Sequence, residues 1–326
     1  MMTSDIDIVY TWVDGSDPEL NRRRALYASN DKENVKGDDK GGDTRYSNLG
    51  ELAWSVASVN RFMPWVRRIY IVTDGQDPSR ELELTLRNFP SPIPVEVVDH
   101  KVIFRGYEAF LPVFNCNSIE TMLWRIPGLS EKYIYFNDDT FVMAPMQPEE
   151  WFDRGKMVLH GHRMNRYWAQ LLDNLRFKNG KRILGFKTPM LMSAKIAESH
   201  HILYYYHTPT AQLRHLFEDF YECHRCYISC NIYPKFRDRY HFSPHSLCNL
   251  LAEQAGLLRL ERSNINLFLK PTAKRPDYLT KRLARADRDP NLKLGCISSL
   301  DKASDAQREE FTQWIMRRLQ LKPVEE

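Results

Sequence analysis

Four short runs of β-branched and aromatic residues, separated by longer stretches, constrain the fold of this chain more than any other feature. They lie at residues 6–13 (IDIVYTWV), 69–73 (IYIVT), 95–98 (VEVV) and 133–136 (YIYF). Residues 49–63 carry apolar side chains at helical spacing, and residues 117–126 form a second candidate helix. Strands that alternate with helices predict a mostly parallel sheet, whose ligands bind at the carboxyl ends of its strands.

The second half of the chain has a different pattern, which is mainly helical. Apolar residues recur at helical spacing near residues 167–177, 211–221, 247–258 and 306–319. We therefore predict an α/β fold in which a Rossmann-like, mostly parallel sheet is completed by a helical C-terminal half. The predicted units are residues 1–165, which form the α/β core, and residues 166–326, which complete the same unit.

Length and charge exclude several classes of protein. The chain has 326 residues, which is enough for one large domain with a sizeable core. It lacks the run of about 18 consecutive apolar residues that a membrane span needs, and its first residues do not resemble a signal peptide. We therefore expect a cytoplasmic protein whose six cysteines are reduced. A net charge of +4 is too small to indicate a nucleic-acid partner.

Two adjacent acidic residues, Asp138 and Asp139, directly follow the fourth hydrophobic run. Carboxylates at a strand end, in a sheet whose ligand site lies there, suit Mg²⁺ or Mn²⁺, which prefer oxygen ligands and bridge diphosphate oxygens. The alternative interpretation is a turn capped by an aspartate. The buried strand before the pair favours a metal site of the kind that nucleotide-sugar enzymes use.

A second acidic loop follows the first hydrophobic run and contains Asp14, Gly15 and Asp17. Since both loops follow strands of one parallel sheet, we expect them at the same edge, where they could hold the base and the phosphates of a nucleotide. A simple turn fits the composition of this loop equally well.

Three segments resemble the first two conserved blocks of the Stealth family. They are residues 6–17 (IDIVYTWVDGSD), 45–74 (RYSNLGELAWSVASVNRFMPWVRRIYIVTD) and 111–139 (LPVFNCNSIETMLWRIPGLSEKYIYFNDD). That family includes bacterial capsular polysaccharide phosphotransferases and the N-acetylglucosamine-1-phosphotransferase that tags lysosomal enzymes. The resemblance implies a glycosyltransferase-A-like sheet that binds a nucleotide sugar within residues 1–165.

The resemblance also implies active-site residues in the second half. His207-Thr208-Pro209 and Phe236-Arg237 are similar to the third block, in which a histidine and an arginine belong to the active site. Residues 296–299 are similar to the fourth block, but two serines replace the family's Asn-Asp pair. The implied catalytic residues are Asp139, His207 and Arg237. For His207 a core histidine packed on aromatic rings is the alternative, and for Arg237 a solvated charge cluster.

Further donor-binding candidates lie outside the two acidic loops. Asn115, Asn117 and Glu120 open the helix before the fourth strand, where amide and carboxyl groups could hold a sugar or phosphate, or could simply cap the helix. Arg45 is an additional cation, for which a surface role is the alternative.

The family implies the reaction. An acceptor hydroxyl attacks the phosphorus next to the sugar of a UDP-sugar, UDP-GlcNAc being the expected donor, and UMP leaves while the sugar keeps its phosphate. The expected acceptor is a glycan or capsular polymer in bacterial capsule synthesis, with peripheral contact to membrane-bound capsule machinery at the inner face of the plasma membrane. The alternative is a metal-dependent glycosyltransferase that uses the same UDP-sugar and releases UDP.

A zinc site is a competing interpretation from another class of protein. Cys223 and Cys226, followed by His241 and His245, match zinc-finger spacing. However, Pro244 lies inside the histidine pair, where a finger needs continuous helix. A zinc-dependent nucleic-acid-binding module is therefore disfavoured, whereas a structural zinc stays open.

Overall fold

The computed structural model describes residues 5–30, 49–175, 177–178, 181–182, 185–271 and 277–322. The helices are α1 Pro18–Asn30, α2 Glu51–Phe62, α3 Ser79–Asn88, α4 His100–Ile103, α5 Cys116–Glu120, α6 Arg166–Asn174, α7 Lys187–Ile196, α8 Arg214–Cys223, α9 Arg225–Ile232, α10 Pro244–Gln254, α11 Tyr278–Arg288 and α12 Asp305–Leu319. The strands are β1 Ile6–Thr11, β2 Arg68–Thr73, β3 Val95–Asp99, β4 Lys132–Asn137, β5 Thr140–Val142, β6 Phe152–Asp153, β7 Lys156–Asn165, β8 Phe177–Lys178, β9 Lys181–Arg182, β10 His201–Tyr205, β11 Thr210–Leu213, β12 Leu258–Glu261, β13 Asn266–Leu269 and β14 Leu294–Ile297.

A five-stranded sheet with the order β11-β4-β1-β2-β3 forms the centre of the molecule. The four predicted strands β1 to β4 are its parallel members, and β11 pairs with β4 in the antiparallel sense. The predicted α/β class is thus confirmed. The expected helix at 211–221 is wrong in its first turn, because residues 210–213 form the edge strand β11 and α8 begins only at Arg214.

Burial of apolar side chains explains the position of this sheet. Ile8, Val9 and Tyr10 of β1 are fully buried, and they belong to one apolar cluster with Leu52 and Val56 of α2. Each such side chain contributes about 1.5–3 kcal/mol when it leaves water. The hydrophobic run that predicts β1 therefore also specifies the middle strand of the sheet.

The C-terminal half contains helices α6 to α12 and also short strands that the sequence pattern does not reveal. Strands β10, β7 and β12 form a second sheet, and β13, β14 and β5 form a third. A separate apolar cluster joins the third sheet to α11, α12 and α2. In that cluster Phe311 packs edge-on against Trp54, with ring centroids 5.4 Å apart. This packing holds β14 beside β5, the strand that directly follows Asp138 and Asp139.

The predicted boundary after residue 165 coincides with the end of β7. Strand β11 nevertheless returns to the first sheet, and buried residues from both halves contribute to one apolar core. Within the described ranges, no helix has the length and apolar character needed to cross a membrane.

Candidate functional site

The carboxyl ends of β1 and β4 lie side by side at one edge of the central sheet. Thr11 at the end of β1 is in register with Asn137 at the end of β4. The loop with Asp14 and Asp17 follows the first strand, and Asp138 and Asp139 follow the second. The expectation that both acidic loops leave the same edge is consistent with this register.

Asp139 is the centre of a cluster of three side chains from distant parts of the chain. Its Oδ1 lies 3.2 Å from Nε2 of His207, and the Cys296 thiol donates to its Oδ2 over 3.5 Å. The three groups offer ligand atoms that all lie within 4.8 Å of one another. The structure therefore brings the predicted residues Asp139 and His207 together and places Cys296 beside them.

Strand β14 brings Cys296 to this position. It pairs with β5 so that Cys296 is opposite Thr140, one residue after Asp139. The neighbouring Gly295 permits this close approach, because a Cβ there would collide with the ring of Phe141. Burial, followed by the negative charge of Asp139, raises the pKa of the Cys296 thiol well above its usual range. The thiol is therefore a neutral donor that holds one oxygen of Asp139.

Asp138 and Glu51 add two more carboxyl groups beside this cluster. Oδ1 of Asp138 accepts a hydrogen bond from the amide of Asp139 at 3.1 Å. Burial, then the charges of Asp139 and Glu51, raise the pKa of Asp138 well above its usual range. Glu51 begins α2, and burial together with Asp139 raises its pKa to about 7. Three carboxyl groups thus converge where their mutual repulsion opposes ionisation.

His207 follows β10 and is part-buried at the edge of the cluster. Phe186 meets its ring edge-on, with the ring centroids 5.9 Å apart. Burial lowers the pKa of His207, but the negative charges of Asp139, Glu120 and Asp138 outweigh burial and leave its pKa raised. Because the imidazole points at a carboxylate, this histidine is not simply a core residue packed on aromatic rings.

Glu120 and Arg237 form the second part of the site. Glu120 is buried on α5, where it accepts a hydrogen bond from the Tyr135 hydroxyl at 3.1 Å and lies 3.4 Å from Nε2 of His245. Burial raises the pKa of Glu120, while the positive charges of Arg237 and His207 act against this increase. Nη2 of Arg237 also lies 3.7 Å from the sulfur of Cys116. Both cations are thus close enough to influence Glu120.

The chemistry of these groups is compatible with Mg²⁺ or Mn²⁺. Asp138 and Asp139 are adjacent carboxylates that repel each other, and a divalent cation removes that repulsion. The protonated Cys296 thiol is a hydrogen-bond donor in this arrangement and leaves oxygen atoms as the principal ligands. An imidazole such as His207 is acceptable to Mn²⁺ as well.

The loop after β1 is organised by its own hydrogen bonds. Oδ1 of Asp14 accepts from the amide and the hydroxyl of Ser16, at 2.9 and 2.7 Å. Asp17 accepts from the amide of Glu19 at 2.8 Å at the start of α1, and from Nε2 of Gln76 at 2.9 Å. The carbonyl of Gly15 accepts from Asn21. The side chains of this loop therefore form the local hydrogen bonds that are typical of a turn.

The remaining predicted residues have mixed surroundings. Asn115 caps α5 by accepting from the amide of Ser118 at 3.0 Å, and its amide group donates to the carbonyl of Pro234 at 3.0 Å. Asn117 is buried on α5, one turn before Thr121, whose hydroxyl donates to its carbonyl. Arg45 lies outside the described residues.

The residues of the alternative zinc site do not meet. Cys223 and Cys226 are exposed, whereas His241 and His245 are buried. Nδ1 of His241 accepts from the amide of Asp238. Among the residues that the structure describes, only the Asp139 cluster places three or more such ligand atoms within reach of one ion.

The sequence did not identify Cys296 as a partner of Asp139. It also did not show that Glu51, Gln76 and Tyr135 lie near the loops after β1 and β4. Glu51 lies at the start of the helix predicted at residues 49–63, and Gln76 lies three residues after the hydrophobic run at 69–73, so their positions along the chain contain a weak signal. The pairing of β5 with β14 joins residues more than 150 positions apart, and no local pattern predicts it.

Bacterial polysaccharide phosphotransferases are similar to part of this chain. An exopolysaccharide phosphotransferase, CpsY of Mycobacterium leprae, is 41% identical over 56% of this chain and 32% of its own length. The capsular polysaccharide phosphotransferase LcbA of Neisseria meningitidis is 40% identical over 45% of this chain and 37% of its own. The capsular polysaccharide phosphotransferase cps1A of Actinobacillus pleuropneumoniae is 39% identical over 47% of this chain and 39% of its own length. The chain thus spans less than two fifths of these relatives.

Solved structures with a similar course of the chain include glycosyltransferases. The galactosyltransferase LgtC, in complex with donor and acceptor sugar analogs, is 13% identical with a TM-score of 0.44 over 98% of both chains. Mouse xyloside xylosyltransferase 1 in its apo form is 12% identical with a TM-score of 0.37, over 89% of this chain and 96% of its own.

Two family models match the first half of the chain. Stealth protein conserved region 1 covers residues 4–32, and conserved region 2 covers residues 45–159. Region 1 contains Asp14 and Asp17, region 2 contains Asp138 and Asp139, and His207 lies beyond both. The similarity of the later segments to the third and fourth blocks stays a prediction. The first half of the chain thus contains conserved regions 1 and 2 of the Stealth proteins.

Proposed function

We propose that this chain contains the catalytic unit of a sugar-1-phosphate transferase that moves a hexose 1-phosphate from a UDP-sugar to a glycan hydroxyl and releases UMP. The observation that supports it most is the Asp139 cluster, in which a carboxylate of conserved region 2 meets His207 at the ligand edge of a parallel sheet. The phosphotransferase names of the relatives support the same class of reaction.

Each group has a distinct proposed role at the donor. Asp138 and Asp139 hold Mg²⁺ or Mn²⁺, which supplies positive charge to the diphosphate oxygens of the donor. The guanidinium of Arg237 binds a phosphoryl oxygen pair as a planar fork. The loop with Asp14, Gly15 and Asp17 binds the nucleotide from the neighbouring strand end. We include Arg45, Asn115 and Asn117 as further donor contacts.

His207 is the proposed base for the acceptor. Asp139 orients the imidazole through Nε2, which leaves Nδ1 to accept the proton of the attacking hydroxyl. The buried Glu120 would balance the charge of the Arg237 guanidinium and of the imidazolium that His207 becomes once it has accepted the proton. The bond from phosphorus to the UMP oxygen breaks as the bond to the acceptor oxygen forms, so the sugar keeps its phosphate.

The biological setting that we propose is suggested by the names of the relatives, which are polysaccharide phosphotransferases. The donor is UDP-GlcNAc, and the acceptor is a growing capsular glycan on the cytoplasmic face of the plasma membrane. A protein of this kind works in bacterial capsule synthesis beside membrane-bound machinery.

The nucleotide product tests the proposed reaction. The purified chain is incubated with Mn²⁺, a glycan primer and one of several UDP-sugars, and the nucleotides are separated by chromatography. We expect UMP with one donor and a primer product that gains a phosphodiester, and none with the Asp139→Asn variant. Release of UDP with a product that lacks phosphorus would show instead a glycosyltransferase that breaks the sugar–oxygen bond.

A further inference from the structure

Helix α6 exposes a continuous apolar face. Tyr167 and Trp168 are 63% and 65% exposed, and Leu175, directly after the helix, is 69% exposed. Leu171 and Leu172 complete the set. At 3.6 residues per turn, these five side chains occupy a single arc of the helix. We name them the α6 face.

The opposite side of α6 anchors the helix to the protein. Ala169 and Asp173 are buried, and Asp173 accepts hydrogen bonds from the hydroxyl of Thr188 at 3.0 and 3.1 Å. Asn165 caps the helix by accepting from the amide of Tyr167 at 2.9 Å. The helix is thus fixed in place with its apolar residues directed at solvent, which is an arrangement that marks interaction surfaces.

Basic residues accompany the α6 face. The sequence from residue 163 to residue 187 carries seven Lys or Arg residues and a single acid, Asp173, which is the buried one. Arg163 is exposed and pairs with Glu253 at 2.6 Å, and the guanidinium of Arg166 lies over the ring of Tyr167 at 5.2 Å. Aromatic residues and leucines on a segment rich in Lys and Arg are typical of helices that lie in the interface of an anionic bilayer.

The α6 face is connected to the candidate site. Thr188, the partner of Asp173, follows Phe186 and Lys187 at the start of α7. Phe186 is itself exposed and touches the ring of His207. The end of α6 and the edge of the site are therefore held by the same short segment.

We propose that the α6 face binds the surface of an anionic phospholipid bilayer and so presents the His207 edge of the site to an acceptor attached to that membrane. Trp168, Tyr167 and the leucines enter the interface, and the basic side chains contact lipid phosphates. The binding stands on the α6 face alone, whereas the presentation of an acceptor rests on the proposed function.

Vesicle flotation of the full chain tests the binding. We expect the chain to float with vesicles of phosphatidylethanolamine and phosphatidylglycerol, weakly with phosphatidylcholine alone, and less as salt is raised. The double variant Trp168→Ser/Leu172→Ser should reduce the partition coefficient by roughly tenfold or more, since two large apolar side chains no longer leave water. The matched control is Leu86→Ser, an equally exposed leucine on α3, which should float like the wild type.

Brominated lipids add a readout of depth. They should quench the fluorescence of Trp168, and a Trp168→Phe variant should still float but lose most of that quenching. Equal flotation of the double variant, or no flotation of the wild type, overturns the proposal. If the wild type forms a dimer and the double variant does not, the α6 face binds a second copy of this chain instead, and the proposal is overturned. UMP release with a soluble primer, unchanged in the double variant, separates this result from the proposed reaction.

Discussion

The loop after β1 and the loop after β4 have similar sequence character, since each places two aspartates within six residues of the end of a buried strand. In the first loop the carboxylates of Asp14 and Asp17 accept hydrogen bonds from Ser16, Glu19 and Gln76. In the second loop Asp138 accepts from the amide of Asp139, and Asp139 faces a histidine and a thiol.

The pKa values of the two loops move in opposite directions. The hydrogen bond from Gln76, and those from the α1 amides, lower the pKa of Asp17. Burial and nearby carboxylates raise the pKa of Asp138. Donors that satisfy a carboxylate stabilise its charge, whereas a second carboxylate opposes it. Protein donors therefore stabilise the charge of Asp17, whereas Asp138 would gain more from a cation.

Neutralising one acid in each loop should separate their roles most clearly. Asp139→Asn should lower kcat by about a thousandfold, because the metal seat and the partner of His207 are both lost. Asp17→Asn should change the KM for the donor and leave kcat close to the wild-type value, because that loop contacts the nucleotide and not the reacting atoms. Steady-state kinetics with varied UDP-sugar measures both.

Circular dichroism and melting temperature serve as controls for folding in both variants. An Asp139→Asn enzyme with wild-type kcat, or full activity of the wild type in EDTA, would show that the loop after β4 holds no catalytic metal.

His207 distinguishes the second loop from the first, for which the described part of the chain shows no histidine partner. His207→Gln should lower kcat roughly a hundredfold, since a positioned base is removed. Wild-type kcat should rise with pH as the imidazole loses its proton, at a pH above the usual histidine range because Asp139 raises the pKa of His207. The variant should lack this rise. His201 begins β10, the strand before His207, and pairs with Glu253 of α10 over 2.7 Å; His201→Gln is therefore the matched control.

Two other results would change the assignment. A rate that falls as His207 loses its proton would indicate a proton donor to a phosphate oxygen. A His207→Gln variant with normal kcat and a reduced melting temperature would indicate a structural residue.

The comparison of the two loops also shows what the sequence can predict. Local hydrophobic runs predict the four parallel strands, because each run is buried as a unit, and the shared edge of the sheet follows from that. The hydrogen bonds that satisfy Asp17 are partly local as well, since Glu19 lies two residues away. The acids of this loop could therefore be interpreted as a turn from the sequence alone.

The surroundings of Asp139 depend on contacts that no local pattern describes. Cys296 arrives through the pairing of β14 with β5, and His207 follows β10, a strand of the second sheet. Their identification required either the family resemblance, for His207, or the structure, for Cys296. Short strands such as β5 have too few residues for a periodic signal, which is why the second and third sheets were missed.

The smallest effect that we predict is on stability and concerns Glu51. Its pKa is raised from 4.5 to about 7, so the folded protein retains a proton that the unfolded chain has released between these pH values. Stability without metal should therefore fall as pH rises from about 4.5 to 7. Glu51→Gln cannot ionise and should escape this loss, which amounts to about 3 kcal/mol at pH 8.

Asp17→Asn gives the opposite dependence and so sharpens the comparison. The pKa of Asp17 is lowered, so its ionised form stabilises the fold above its ordinary pKa, and this contribution disappears as pH falls through the folded value. Urea unfolding in EDTA from pH 4 to pH 8 measures both differences from the wild type. The Glu51→Gln difference should grow toward high pH, and the Asp17→Asn difference should shrink toward low pH. Parallel curves for Glu51→Gln and the wild type would mean that neither burial nor the charge of Asp139 raises the pKa of Glu51.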